Sequence, residues 1–440
     1  MLVIALFVAV PTAVSLLIIF PKFQKWGIFL AMTFFIMTPK LWIQYFADHA
    51  YVKGTSQSFE ICFLDFFVLI YLIVLLAKSD YKFKFFPPGT IFFFIFFAIC
   101  LISCKNAPVG LYSAFEIYKF VKMFSLFVVM YNILLCYNCY DTVINGFACG
   151  IFINFLYALY QKYALGGYLI AGFMPHKNNA GMYLNVLMPV YLYIALNLKF
   201  KSQYKRFFYV AAFVASSGTI VFTQSRAAWG ISALILFLIF SISMYRGVTR
   251  DKIIAICLLF VVLSLGLVKA YNTMYKRISV GNEAGTVGRK LLVENAVDMA
   301  NKNFWGVGIN NYTAVNTIEN NYGDIFYKYA NLSPDRNLGK VETVYLLTAA
   351  ECGWIGLAAM LMWFFYYLIQ GFISCFYYWK TNMSYLSIGI TIGLLGAYLH
   401  STLEWSLRFS QSFYLLMAVF AIIASLVYHR RHDTLRLRGK

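Results

Sequence analysis

Charged residues are scarce in this chain. Asp, Glu, Lys and Arg together make up 12% of its 440 residues, whereas hydrophobic types make up 62%. Soluble globular proteins contain about 25% charged and about 45–50% apolar residues. Because no soluble core could bury this excess of apolar side chains, lipid must surround most of them. The shortage of charge therefore excludes an ordinary soluble fold.

The chain also lacks the alternating ten-residue segments of a transmembrane β-barrel. Instead, apolar runs of about 20 residues recur from end to end, each long enough to cross roughly 30 Å of hydrocarbon. Backbone groups in lipid must pair within their own segment, which predicts helices. We expect an all-α integral membrane protein with about 12–13 transmembrane helices. The segments are 2–20, 26–46, 61–77, 89–104, 115–134, 144–163, 181–198, 207–224, 227–245, 253–270, 344–370, 385–403 and 411–428.

The first two segments bear on the number of spans. Leu2–Phe20 has no charged region before it and no cleavage site after it. We therefore expect a retained span and not a signal peptide. Segment 26–46 contains Pro39 and Lys40. The chain has thirteen spans if this segment crosses fully and twelve if it crosses only in part.

Basic residues outnumber acidic ones by 36 to 17, which gives a net charge of +19. A nucleic-acid-binding protein would gather them in one patch, but here they form short clusters between apolar segments. This is the positive-inside pattern of membrane proteins, so the charge indicates topology and no nucleic-acid partner. The clusters are Lys22/Lys25, Lys78/Lys82/Lys84, Lys199/Lys201/Lys205/Arg206, Arg246/Arg250/Lys252 and Arg430/Arg431/Arg436/Arg438/Lys440.

Placing the basic tail in the cytoplasm and counting backwards puts residues 175–179, 224–226 and 271–343 outside. We predict transmembrane helices over 1–270, a periplasmic loop domain over 271–343, transmembrane helices over 344–428 and a basic cytoplasmic tail over 429–440. Within the loop, Arg289–Phe304 reads as an amphipathic helix that lies on the membrane or caps the bundle. Its apolar face would hold Leu292, Ala296, Met299, Ala300 and Phe304.

Two arginines on the outer side are candidate binding residues. Charge near the membrane core is costly and tends to be functional, and positive-inside statistics disfavour Arg226 at its position. Arg226 is either an arginine snorkelling at a helix end or a clamp for phosphate oxygens. Arg289, in Gly288-Arg-Lys, is either an ordinary loop arginine or a second such clamp.

Acidic residues offer a candidate base. Glu342 stands where the loop meets the membrane, and Glu351 lies about two turns deeper. Such carboxylates either complement the dipole of a helix N-terminus or, for Glu342, act as a general base whose pKa is set by partial burial.

Further polar residues inside the spans are expected to pair with each other. We expect Asp65 to pair with Lys119 or Lys122, and His400 to pair with Glu404 at i,i+4 spacing.

Several motifs together resemble the O-antigen ligase and polymerase superfamily of bacterial polysaccharide assembly, over about residues 144–404. One departure is that family ligases usually carry histidine at the position of Glu342. The motifs are Phe173-Met-Pro-His176-Lys-Asn178-Asn-Ala-Gly181, Thr223-Gln-Ser225-Arg226, the external loop with Arg289 and Asn303-Phe-Trp-Gly306-Val-Gly308, and Glu342-Thr343 followed by nine residues and Gly353-Trp-Ile-Gly356.

The resemblance implies a GT-C-like enzyme of the bacterial inner membrane with a periplasmic active site. It would transfer a glycan, with inversion, from undecaprenyl diphosphate to a hydroxyl of another glycan (a polymerase) or of lipid A core (a ligase). Arg226 and Arg289 would stabilise the diphosphate, and Glu342 would be the base. The expected substrate-binding residues are His176, Lys177, Asn178, Ser225 and Tyr345.

No metal or other cofactor is expected, because the arginines would serve the diphosphate and the chain has no Asp-x-Asp motif. A flippase for lipid-linked oligosaccharides is a remote alternative. Transporters are often built from repeated halves, and this chain shows none.

Overall fold

The computed structural model describes residues 5–38, 43–47, 54–200, 202–250, 252–254, 256, 283–318, 322 and 339–432. These residues are mostly helical, which confirms the predicted all-α membrane class. The helices are α1 (Val10–Ile19), α2 (Lys22–Phe34), α3 (Phe63–Leu76), α4 (Thr90–Ser103), α5 (Gly110–Tyr137), α6 (Tyr140–Leu159), α7 (Lys177–Asn197), α8 (Gln203–Thr223), α9 (Arg226–Tyr245), α10 (Glu283–Lys302), α11 (Tyr312–Ile318), α12 (Val344–Tyr377), α13 (Ser384–His400) and α14 (Ser410–His432).

Within this described part, 7 helices are long and apolar enough to cross a membrane: α5, α6 with its following π-helical turn, α7, α8, α9, α12 and α14. Shorter apolar helices include α3, α4 and α13. The predicted span 253–270 lies almost wholly outside the described residues.

Segment 26–46 is not one continuous helix. Helix α2 passes into a 3₁₀ turn at Phe35–Met37, and Ile43–Phe46 forms strand β1. Strand β1 pairs antiparallel with β2 (Phe59–Cys62), so that Ile43 lies opposite Cys62. In the sequence Pro39 follows Thr38, the last described helical residue, and proline has no N–H with which to continue a helix. The segment therefore spans at most in part.

The centre of the bundle is formed by α7 and α14, which are buried over most of their length. Helix α7 packs against α8, α9 and α13, and α14 packs against α5 and α12. Small residues allow the closest of these approaches. A Cβ at Gly393 in α13 would lie 2.1 Å from the carbonyl oxygen of Val186 in α7. Helices α7 and α13 are thus held together by close backbone packing.

Short connections bring several helix ends to one side of the bundle, which we call the cleft end. There α7, α9, α12 and α14 begin, and α8 and α13 end. The opposite ends of the same helices carry basic residues: Arg206 in the first turn of α8, Arg246 directly after α9, Lys380 between α12 and α13, and Arg430 and Arg431 in the last turn of α14.

Helix α12 is interrupted at Gly353, whose φ of 72° and ψ of 173° are not helical. The interruption leaves two carbonyls without helical partners. The N–H groups of Val307 and Gly308 donate to the carbonyls of Ala350 and Glu351, both at 3.0 Å. Glycine is required at 353, because its φ is positive and a Cβ would lie 1.9 Å from a backbone oxygen of the loop. The two glycine motifs of the sequence therefore pack against each other.

The predicted loop helix is present as α10, and it packs against α12. This contact supports the alternative in which it caps the bundle. Phe304 is the exception on its predicted apolar face: it is 68% exposed, because the helix ends two residues earlier, at Lys302. The remaining predicted side chains are buried: Leu292, Ala296, Met299 and Ala300.

Candidate functional site

A cleft of about 1590 Å³ opens at the cleft end of the bundle. Pockets for single small ligands usually measure about 300–1,000 Å³, so this cleft has room for more than one substrate. Residues from five separate parts of the chain line it. Among them are all but one of the predicted catalytic and substrate-binding residues: His176, Lys177, Asn178, Ser225, Arg226, Arg289 and Glu342.

Three helix N-termini face the cleft. Helices α7, α9 and α12 begin at its wall, with N-cap residues His176, Ser225 and Thr343. The Ser225 hydroxyl accepts a hydrogen bond from the Ala228 N–H at 3.4 Å, and His176 Nδ1 accepts one from the Asn178 N–H at 3.3 Å. Unpaired N–H groups and the helix dipole make each such terminus electropositive. Together they favour an anion in the cleft.

The cleft-lining arginines differ in their partners. Arg226 is exposed at the start of α9 and has no ion-pair partner within the described part of the chain. Arg289 Nε lies 2.9 Å from Glu342 Oε2, with both side chains partly open to solvent. Exposed ion pairs of this kind contribute about 0–1 kcal/mol. Both guanidinium groups are therefore open to an anionic ligand, Arg226 directly and Arg289 by exchange.

A second carboxylate, Glu404, lines the same cleft from the connection between α13 and α14. The Asn178 side-chain amide donates a hydrogen bond to Glu404 Oε1, while Oε2 has no partner among the described residues. Burial raises the pKa of Glu404 to about 7, and the negative charge of Glu342 adds to this effect. The bond from Asn178 opposes it. The cleft thus holds a carboxyl group that titrates near neutral pH.

The predicted pairing of His400 with Glu404 is wrong. His400 is buried at the end of α13, and neither of its ring nitrogens has a partner in the described structure. The Glu404 N–H still donates to the His400 carbonyl at 3.0 Å, in a turn that follows the end of α13, but the two side chains do not meet. The Glu404 side chain turns instead towards Asn178 in α7. The sequence feature that could have indicated Glu404 as a cleft residue is its position just after the predicted span 385–403.

The remaining predicted binding residues to consider are His176, which lines the cleft, and Tyr345, which does not. Desolvation and the adjacent charge of Lys177 lower the pKa of His176, which favours its neutral form at neutral pH. Tyr345 does not line the cleft. Its hydroxyl donates a hydrogen bond to the Tyr398 carbonyl in α13 at 2.9 Å. It therefore joins α12 to α13.

Below the cleft lies a buried ion network that the sequence did not predict. Arg408 Nε lies 2.9 Å from Glu116 Oε1, and Arg408 Nη2 lies 2.9 Å from Glu351 Oε2. Lys119 Nζ lies 2.7 Å from Glu116 Oε2. These four charges join α5 and α12 to the connection that carries Glu404. They hold the floor of the cleft in place.

A second ion pair lies apart from this network. Lys122 Nζ lies 2.9 Å from Asp65 Oδ2, which confirms the pairing expected for Asp65.

Aromatic side chains form part of the cleft wall beside Glu404. Trp405 stacks on Phe409 with ring centroids 4.2 Å apart, and both line the cleft. Lys340 Nζ lies 3.7 Å from the Trp405 ring centroid, and desolvation lowers the pKa of Lys340 to about 7. Within the described residues, no cluster of three or more His, Cys, Asp or Glu side chains could hold a metal ion.

Comparison with protein families gives a match over residues 211–361 to the family described as O-antigen ligase. This supports the resemblance to the O-antigen ligase and polymerase superfamily and indicates O-antigen ligase-type activity. The matched segment contains Arg226, Arg289 and Glu342 and ends a few residues beyond Gly353 and Gly356. Asn178 and Glu404 lie outside it. No curated protein matches the chain.

Proposed function

We propose that this protein transfers a glycan from undecaprenyl diphosphate to a hydroxyl of a second glycan, as a polymerase of O-antigen or another surface polysaccharide. The observation that carries the proposal is the convergence of cations, helix N-termini and carboxylates on one cleft. Arg226, Arg289 and Lys177 line it together with Glu342. This arrangement suits a reaction in which an anionic leaving group departs while a hydroxyl loses its proton.

The diphosphate of the donor would bind at the electropositive side of the cleft. Planar guanidinium groups donate two hydrogen bonds at a time to phosphate oxygens. Stabilising charge as it develops on a leaving group is often the largest contribution to catalysis. In this proposal Arg226 and Arg289 supply that stabilisation, and no metal ion or other cofactor takes part.

Glu342 is the proposed general base. The acceptor oxygen forms a bond to the anomeric carbon while the bond from that carbon to the diphosphate oxygen breaks. The electron pair of the broken bond leaves with undecaprenyl diphosphate, and the hydroxyl proton moves to Glu342. Direct displacement inverts the anomeric centre. In the ligand-free structure Arg289 pairs with Glu342, so donor binding would draw Arg289 to the diphosphate and release the base.

The acceptor distinguishes polymerase from ligase. The family description names a ligase, and glutamate at the position where family ligases usually carry histidine favours the polymerase. The alternative is transfer to lipid A core. The basic residues at the opposite end of the bundle, such as Arg246 and Arg430, favour a cytoplasmic location for that end. The cleft would then open to the periplasm from the inner membrane.

The test is transfer by purified protein in the presence of EDTA, with the undecaprenyl-diphosphate-linked glycan of the producing cells as donor. Lipid A core is added as the second acceptor. We expect a ladder of products from the wild type. Loss of the ladder is expected in Arg226→Ala, Arg289→Ala and Glu342→Gln, each with unchanged thermal unfolding.

Three other results would each contradict part of this proposal. A single shifted band on lipid A core would identify a ligase. Full activity in all three variants would refute the assigned residues. The absence of transfer with both native substrates supplied would favour the flippase.

A further inference from the structure

Asn179 lines the cleft with a side chain that no described residue satisfies. It is 1% exposed, and both atoms of its amide group lack a hydrogen-bond partner within the described structure. Buried polar side chains are nearly always paired, because leaving one unpaired costs about 1–3 kcal/mol. An unpaired amide at the wall of a cleft is therefore a mark of a ligand that supplies the missing partners.

Glu404 is the second incompletely paired group, and it is tied to the same helix end. Its Oε1 accepts from Asn178, the neighbour of Asn179, and its Oε2 has no partner among the described residues. Unlike Glu342, it has no cation within ion-pair distance in that part of the chain. An oxygen with this environment is open to a hydrogen-bond donor from the cleft.

We propose that Asn179 and Glu404 form the binding site for the acceptor sugar in the cleft, next to the groups that would bind the diphosphate. This inference rests on the proposed function. A sugar hydroxyl both donates and accepts, so it can donate to the Glu404 carboxylate and accept from the Asn179 amide. A diphosphate cannot donate, and the charge of Glu404 repels it. Asn179 and Glu404 therefore select a sugar hydroxyl over a phosphate oxygen by their hydrogen-bonding pattern.

The surface next to Glu404 agrees with a sugar ligand. Trp405 and Phe409 line the cleft as a stacked pair with centroids 4.2 Å apart. Sites for small ligands combine aromatic surface with a few placed polar groups. The apolar edges of this pair suit the C–H groups of a pyranose ring, while Glu404 and Asn179 meet its hydroxyls.

The kinetic test uses Glu404→Gln and Asn179→Leu, which keep side-chain size. Asp298→Asn, an exposed carboxylate on α10 outside the cleft lining, is the matched control. With native donor and acceptor glycolipids, we expect the acceptor KM to rise about tenfold or more in both cleft variants and the donor KM to stay within about twofold. If Asn179 had only a structural role, Asn179→Leu should leave the acceptor KM unchanged. Its stability should then equal or exceed that of the wild type, since Leu in place of an unpaired amide is neutral or stabilising.

Binding measurements separate this inference from the reaction itself. Two probes are used with the full-length protein: the lipid-free surface glycan of the producing cells, by saturation-transfer NMR, and inorganic diphosphate, by calorimetry. We expect both cleft variants to lose glycan binding and keep diphosphate binding, and Arg226→Ala to do the reverse.

Two outcomes overturn the inference: no glycan binding by the wild type, or equal binding by the wild type and both variants. If the expected binding pattern appears but the wild type transfers nothing, the proposed reaction fails and the sugar site stands.

Discussion

Two sets of charges occupy the same end of this bundle, and they differ in how completely they are paired. In the buried network beneath the cleft, every charge has an opposite charge within 2.9 Å: Glu116, Lys119, Glu351 and Arg408. In the cleft, Arg226 has no described ion-pair partner, and Glu404 has only an amide. Position near the membrane core therefore does not by itself distinguish a structural charge from a functional one. The charges of the cleft differ in lining open space, where Arg289 and Glu342 form only a partly exposed pair and Arg226 and Glu404 have no ion-pair partner among the described residues.

The largest effect is expected from breaking the buried set. Arg408→Met leaves Glu116 and Glu351 buried without their shared cation, which should lower the free energy of unfolding by about 3–5 kcal/mol. Unfolding in mixed micelles of dodecyl maltoside and dodecyl sulfate measures this change. Arg226→Met is the matched control, with expected stability near that of the wild type. Normal stability of Arg408→Met with abolished transfer would assign Arg408 to the reaction.

The next largest effect should come from the unpaired arginine, and it should appear in the rate alone. Arg226→Ala should lower kcat by about 10²–10³-fold, the usual cost of losing one donor to a developing charge. Arg226→Lys keeps the charge and loses the bidentate geometry, so it should recover only part of the rate. Equal activity of the Lys variant and the wild type would mean that charge alone suffices at this position.

A smaller effect should follow from the pH dependence of Glu404. Its pKa of about 7 lies above the usual value for glutamate, and the ionised carboxylate is the stronger acceptor for a sugar hydroxyl at Oε2. Acceptor binding should therefore strengthen as pH rises through 7, by up to about tenfold between about pH 6 and about pH 8. The acceptor KM measured across this range gives the profile. Glu404→Gln should remove this change, and a variant that kept the same profile would assign it to another group.

The smallest effect is expected from an exposed pair that belongs to neither set. Asp298 Oδ2 lies 2.7 Å from Lys302 Nζ on the surface of α10. Exposed pairs at i,i+4 spacing contribute about 0.3–0.5 kcal/mol, so Asp298→Asn should scarcely change unfolding or transfer. A loss comparable to that of Arg408→Met would show that short distance, and not burial, determines the cost.

Hydropathy was enough to predict the class and most helices, because burial in lipid depends on runs of apolar side chains. It did not predict the break in α12 at Gly353, since the partner carbonyls and N–H groups lie in segments far apart in the chain. The β1–β2 pair was missed for the same reason. Pro39 gave the one local warning, and there the sequence left both alternatives open.

The site was predictable where its residues follow the ends of spans. Parity placed residues 175–179, 224–226 and the loop on one side, and the cleft brings their side chains together. The buried network was not predictable, because Arg408 and Glu116 are 292 positions apart. The pairing of Glu404 with His400 was wrong, because i,i+4 spacing did not indicate that the Glu404 side chain turns to Asn178 in a distant helix. Local periodicity does not indicate which distant residue will pair.

The backbone junction between the loop and α12 has a consequence for mutational tolerance. A Cβ would lie 2.3 Å from the Glu351 carbonyl if placed on Gly306, and 2.7 Å from the Ala107 backbone if placed on Gly308. A saturation screen should therefore find these glycines and Gly353 as intolerant as Arg226, although they contact no substrate. In related sequences we therefore expect the spacing of these glycines to be kept. The side chains that line the cleft, and with them the choice of acceptor, can change without disturbing this junction.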